Sequence, residues 1–257
     1  MVYQVHFKSE SISVNGVKVV MLTAGQGEPL VVWHGAGTWH GFDFALPWAS
    51  RFQVIIPFHP GFGESGDAPE MTTARDYTLH YLEMFDQLGL DRVNLAGFSM
   101  GGRLAATFAI EHRERVRKLV LIAPAGLDVP GYPMPAFSQI RPEEIPGYLA
   151  HDASILAPYL PKGPDPEFAA AREREGGNFA KLMQNGLVGP WLPRWLHRVD
   201  MPTLIAWGDK DRILPAAHAT EWKKLIPHAV VRIFPDAGHI VADEKPECVE
   251  AIADFLL

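Results

Sequence analysis

Ser99, Asp211 and His239 each stand just past the end of an apolar run, and together they are the residue types that acyl transfer needs. A serine hydroxyl is a weak nucleophile until a base takes its proton. An imidazole can do so near neutral pH, and a carboxylate holds the imidazole in the right tautomer and stabilises its cation. Ser99 lies in Gly97-Phe98-Ser99-Met100-Gly101, a G-x-S-x-G pattern between an apolar run, Arg92 to Ala96, and a small-residue helical pattern, Arg103 to Glu111. That context of strand, sharp turn and helix carries more weight than the short pattern. A serine on such a turn is held in strained geometry with its hydroxyl clear of both neighbours, and a Cβ at position 97 or 101 would press on crossing backbone. The helix that follows aims its N-terminus at the same point, so the N–H of Met100 is a free donor for charge developing on a carbonyl oxygen. Without partners, the stretch would be no more than a glycine-rich turn closing a βα unit.

The partners depend on a sheet. Residues 3–9 and 11–23 read as two antiparallel strands, with the Asn15-Gly16 pair suited to a tight turn inside the second. Pro29 to Trp33 and Arg115 to Ala123 are apolar runs of strands buried on both faces, Met201 to Trp207 reads as a buried strand, Phe52 to Phe58 and Arg92 to Ala96 are further apolar runs, and Val230 to Phe234 is the final strand. Helical patterns alternate with them at Thr73 to Leu88, after Ser99, up to about Ile226, and from Lys245 to the end. The expected fold is α/β, with a mostly parallel, doubly wound sheet. Residues just past the C-terminal strand ends of such a sheet meet on one edge although far apart in sequence. Ser99, Asp211 and His239 are all so placed. His34-Gly35-Ala36-Gly37 also follows a buried strand and offers the N–H of Ala36 as a second oxyanion donor. His34 itself is read as a hydrogen-bonding support for that loop.

Two stretches need separate treatment. Gly61, Gly63 and Gly66 satisfy G-x-G-x-x-G, but Asp67-Ala68-Pro69-Glu70 is turn sequence where a dinucleotide site needs a helix to open, so no cofactor is expected. From Gly126 to about Asp200 prolines crowd and no strand pattern appears. A structureless loop of that length is improbable in a compact domain, so residues 127–200 are expected to form a helical lid inserted into a core of residues 1–126 and 201–257. Its clearest helix starts at Asp165-Pro166 and breaks or kinks at Gly176-Gly177. Trp191, Trp195, Phe179, Met183, Leu187 and Tyr148 are candidates for an apolar ceiling over a substrate, against the alternative that they form the lid's own core.

Composition narrows the class. The 257 residues carry a formal charge of −7 with no Lys/Arg block, which argues against nucleic-acid partners and an anionic membrane surface. No run is long enough to span a bilayer and the first residues lack the blocks of a signal peptide. The expectation is a cytoplasmic protein, monomer or homodimer, whose partner is a small-molecule substrate. The single cysteine, Cys248, reads as a small buried apolar residue, and the scattered histidines propose no metal site.

The chain resembles the α/β-hydrolase superfamily in its serine-nucleophile, capped form. The resemblance rests on His34-Gly35-Ala36-Gly37, Pro60-Gly61-Phe62-Gly63-Glu64-Ser65, Gly97 to Gly101, Gly208 to Pro215 and Gly238-His239. It implies Ser99 as nucleophile, His239 as base and Asp211, rather than Asp209, as the acid of a G-x-x-D-x-x-x-P pattern. It also implies Ala36 and Met100 as the oxyanion hole. Trp39, Phe98, Trp191, Trp195 and Ile240 are the expected substrate contacts. His59 departs from the acidic residue that many members carry before the Pro-Gly turn. The implied activity is a carboxylesterase-like hydrolysis of a small to medium, largely apolar ester. Hydrolysis of carbon–carbon bonds in ring-fission products is the closest rival, although such members tend to show a Gly-Pro-Gly in the oxyanion loop and an aromatic after the histidine, where this chain has Thr38-Trp39 and Ile240. Thioester or amide hydrolysis and cofactor-free perhydrolysis are other enzymatic options, and a non-catalytic small-molecule receptor is the alternative from a different class.

Overall fold

The computed structural model describes residues 6–257; residues 3–5 of the first expected strand lie outside them. Strands β1 (Lys8–Val14) and β2 (Val17–Ala24) form an antiparallel hairpin about Asn15-Gly16, both at positive φ. The turn therefore divides the expected second strand, and residues 11–14 belong to β1. A two-residue turn with both φ positive dictates that split. Strands β3 (Pro29–Trp33), β4 (Gln53–Pro57), β5 (Val93–Phe98), β6 (Val116–Ile122), β7 (Thr203–Gly208) and β8 (Val230–Phe234) complete the sheet. The described residues give the order β1-β2-β4-β3-β5-β6-β7-β8, antiparallel at β1/β2 and β2/β4 and parallel from β4 through β8.

The continuous apolar runs are explained by two cores. Val31, Trp33, Leu95, Leu119, Leu121, Ile205 and Trp207 point to one face, while Leu30, Val32, Ala96, Val120, Ile122, Leu204 and Ala206 point to the other. Helices α1 (Ala74–Gln87) and α2 (Met100–Glu111) cover the first face, and the last helix of the chain covers the second. Thr73 caps α1 in a reciprocal box with Asp76, which satisfies two end donors at once. Cys248 is fully buried, and burial pushes its thiol up to about 12, so it is a packing residue.

Between β6 and β7 the described chain is helical or irregular. It holds α3 (Ile145–Leu149), α4 (Pro166–Gln184), α5 (Trp191–Trp195) and several short stretches of 3-10 helix. Asp165 caps α4 by accepting from the Phe168 N–H at 3.0 Å. Helix α4 runs unbroken through Gly176-Gly177, contrary to the expected break. Glycine costs about 1 kcal/mol against alanine in a helix, and the bonds that Glu175 and Asn178 make to the sheet edge, immediately before and after the pair, hold the helix across it. After β7 come α6 (Ala217–Leu225), α7 (Val241–Glu244) and α8 (Pro246–Leu256).

Candidate active site

Ser99 follows β5 and immediately precedes α2, with φ 52° and ψ −115°. The strain is imposed by its surroundings. Its N–H donates to the Ile122 carbonyl and its own carbonyl accepts from the N–H groups of Arg103 and Ala125. A Cβ on residue 101 would lie 2.2 Å from the Trp33 carbonyl oxygen, and one on residue 97 would lie 2.4 Å from the Gly101 carbonyl oxygen, so only glycine admits this crossing. Met100 is the first residue of α2, and its N–H is one of the end donors that no turn of the helix can satisfy.

The strand ends bring the three expected residues together. His239 Nε2 lies 2.9 Å from Ser99 Oγ, and His239 Nδ1 lies 2.7 Å from Asp211 Oδ2. Asp211 is fixed in turn, since its Oδ1 accepts from the N–H groups of Ile213 and Leu214 at 2.8 Å each. A carboxylate so placed is an acceptor only, so Nδ1 carries the imidazole proton and Nε2 is free to accept from the serine. Asp209 instead faces outward and pairs with Lys210 at 2.6 Å. The Phe98 ring packs against His239 with centroids 4.9 Å apart.

The loop carrying Ala36 is supported from beneath by two buried histidines. His34 Nε2 accepts from the His59 N–H at 2.9 Å, which leaves the proton on Nδ1 to donate to the Gly35 carbonyl at 2.7 Å. His59 donates from Nε2 to the His34 carbonyl at 2.9 Å and accepts at Nδ1 from the Tyr81 hydroxyl. Both rings are neutral in this arrangement. Burial is the first cause of lowering His34 well below the usual histidine range and His59 to about 4, with His59 further disfavouring charge on His34. His59, the departure from the family pattern, thus forms a second support for the oxyanion loop.

A cavity of about 550 Å³ opens above Ser99. Ala36, Trp39, Phe98, Ser99 and His239 form its floor, and Met134, Phe137, Tyr148, Leu149, Phe179 and Met183 its roof. Three expected contacts are not in its wall. Trp191 packs against the first core with the guanidinium groups of Arg75 and Arg103 5.8 and 5.4 Å from its ring, and Trp195 packs there too. Leu192 and Leu196, both fully buried, pin that segment to the core and take the two indoles with them. Ile240 is also buried, packing on Ala150 and Leu156 with its N–H bonded to the Leu149 carbonyl. Leu187 is buried in the first core rather than in the ceiling. Sequence reading missed Arg172, Met134 and His40 in the wall and Glu175 beside it. The signal for α4 was present, because Arg172, Gly176, Phe179 and Met183 recur at helical spacing, but the assumed break at Gly176-Gly177 hid it. Met134 lies in a proline-rich stretch without periodicity.

The G-x-G-x-x-G stretch is a docking turn for α4: Asn178 Nδ2 donates to the Gly61 carbonyl at 2.9 Å, and Arg174 donates to the carbonyls of Gly63 and Ser65 at 2.9 and 2.6 Å. Among the described residues no three His, Cys, Asp or Glu side chains cluster as metal ligands, and no helix is long and apolar enough to cross a membrane.

An eight-stranded, mostly parallel sheet with a serine on a strained strand-to-helix turn defines an α/β hydrolase architecture. The chain belongs to the Alpha/beta hydrolase family, whose pattern it matches over residues 30–251. It is 31% identical to 2-hydroxy-6-oxo-6-phenylhexa-2,4-dienoate hydrolase of Burkholderia cepacia, over 91% of this chain and 89% of that protein. It is 30% identical to Lipase 1 of Psychrobacter immobilis, over 94% of this chain and 82% of that protein. A crystal structure of a membrane phospholipase A superposes with a TM-score of 0.83 at 27% identity, covering 97% of this chain and 86% of that one.

Proposed function

We propose that the protein is a serine hydrolase that cleaves a small to medium, largely apolar carboxylic ester through an acyl-enzyme, with residues 127–200 acting as a cap over the site. The observation that carries this reading is the unbroken hydrogen-bonded chain from Ser99 through His239 to Asp211 at the floor of an apolar cavity. In the first step Ser99 Oγ attacks the carbonyl carbon while His239 Nε2 takes its proton. Asp211 stabilises the imidazolium, and the N–H groups of Ala36 and Met100 receive the oxyanion. His239 returns the proton to the leaving alkoxide, and water then attacks the acyl-enzyme with His239 again as base. Met134, Phe179 and Met183 receive the acyl chain.

A second reading has its own observation. The guanidinium of Arg172 stands in the cavity wall, where it suits a carboxylate, and the Burkholderia cepacia relative is named for a dienoate substrate. Carbon–carbon bond hydrolysis of a ring-fission product would use the same serine and the same oxyanion donors. The deciding experiment compares turnover of chromogenic acyl esters of increasing chain length with turnover of a 2-hydroxy-6-oxo-dienoate. Faster cleavage of neutral esters is expected. Faster cleavage of the dienoate moves the assignment to the carbon–carbon reaction, and tight binding without product from either set moves it to a receptor.

A further inference from the structure

Helix α4 reaches beyond the roof of the cavity to the loop that carries Ala36. Glu175 is 3% exposed, and its carboxylate accepts from both turns that border the site. Oε1 accepts from the Thr38 hydroxyl at 2.5 Å and the Gly63 N–H at 3.1 Å; Oε2 accepts from the Thr38 N–H at 3.3 Å. The fourth contact is the Arg172 guanidinium, 3.4 Å from Oε2 and three residues back on the same helix. Three of the four donors therefore belong to the sheet edge. Thr38 stands two residues beyond Ala36. His34, two residues before Ala36, is fixed by His59. The short loop between them is thus clamped at both ends, at one end by imidazole bonds and at the other by a buried carboxylate. Hydrogen bonds to an ionised acceptor are roughly twice as strong as neutral ones, and oxyanion donors must be held to within about 0.5 Å to act.

We propose that Glu175 is a positioning residue that sets the Ala36 N–H for oxyanion stabilisation, so that α4 completes the site from above. The inference rests on reading Ser99 as the nucleophile and Ala36 as an oxyanion donor. It is separable from simple docking of the helix, because Arg174 anchors α4 without touching residues 34–39. Arg174 bonds the carbonyls of Gly63 and Ser65 and pairs with Asp67 at 2.7 Å. In Glu175→Gln the amide keeps one acceptor and gains an NH2 group, so a donor faces a donor at one of the two oxygen positions without a change of volume.

The test is the rate at which a fluorophosphonate probe labels Ser99. Oγ forms a bond to phosphorus, fluoride leaves and the proton passes to His239, so the rate reads nucleophile and oxyanion site together and requires no knowledge of the natural substrate. Glu175→Gln is expected to lower the maximal labelling rate about tenfold or more, below the hundredfold to thousandfold cost of deleting an oxyanion donor, with the half-saturating probe concentration within about twofold. Arg174→Ala is expected to lower the melting temperature and keep the maximal labelling rate. Thr38→Val, which removes a single donor, is expected to slow labelling less and to add nothing on top of Glu175→Gln. It also decides the matter if Glu175→Gln does not fold. An unchanged rate in Glu175→Gln, an equal loss in Arg174→Ala, or, if Thr38→Val has to decide, an unchanged rate there, overturns the inference. A wild-type protein that takes no label on Ser99 overturns the hydrolase reading and this inference with it.

Discussion

The side chains on the floor of the cavity and those of its roof are placed by different forces. On the floor, Ser99 and Asp211 are fixed by backbone hydrogen bonds at strand ends, and His239 is locked between them by two short bonds. The roof's apolar side chains are placed by packing, since Met134, Phe179 and Met183 rest on the first core as partly buried side chains, while the helix that carries the last two is docked by the bonds of Arg174 and Asn178 to residues 61–65. Directional bonds restrain angle as well as distance, which proton transfer requires, whereas packing fixes volume and tolerates exchange of one apolar side chain for another. Under the proposed hydrolase reading, the chemistry belongs to the floor and the choice of substrate to the roof. Glu175 and Arg172 cross that division, because both are on α4 yet reach the floor, one at Thr38 and the other over the Trp39 ring at 5.4 Å.

The sharpest way to break this contrast is to remove the base. His239→Ala is expected to lower kcat about 10⁶-fold on any ester substrate, by analogy with loss of the histidine from another serine hydrolase site. Stopped-flow or long-time assays that find less than about a hundredfold loss would remove His239 from its role. Asp211→Asn should cost about 10⁴-fold through the wrong tautomer, with the melting temperature little changed.

Roof variants should behave in the opposite way. Phe179→Ala, measured on an acyl-chain series, is expected to shift the preferred chain length and raise KM while kcat on the best ester stays within about tenfold, because a wall contact made alike in ground and transition state contributes to KM and not to kcat. A loss on all chain lengths alike would place Phe179 in the machinery instead.

The smallest effect sharpens the floor's dependence on neutral histidines. His34 and His59 have folded-state values below the unfolded value of 6.5, that of His59 at about 4. Between those values the unfolded chain binds more protons than the folded one. Stability therefore rises with pH through this window, and as pH falls below about 6.5 it is lost progressively until the folded ring also titrates. Urea midpoints taken between pH 7.5 and 4.5 should fall with acidification, and His59→Gln should flatten the slope. Midpoints that do not move, or that rise on acidification, would contradict the neutral pair.

The contrast also explains what could be read in the sequence. Ser99, Asp211 and His239 were legible because each sits in a local pattern, a glycine-flanked turn or a strand end, whose geometry is set by neighbours in the chain. The two-faced sheet was legible for the same reason, in apolar runs such as Leu119 to Ile122. Trp191 and Trp195 were not, because an aromatic in a helical stretch can serve a cavity or a core, and only the burial of Leu192 and Leu196 decides between them. Arg172 and Glu175 were hidden by Gly176-Gly177, where tertiary bonds overrode a local propensity.

The role of Ser99 is measured by the turnover of one chromogenic ester by the wild-type protein and by Ser99→Ala, side by side and with melting temperatures compared. Cleavage by the wild type and a loss of about 10⁶-fold in the variant are expected. Near wild-type turnover by Ser99→Ala would contradict that role.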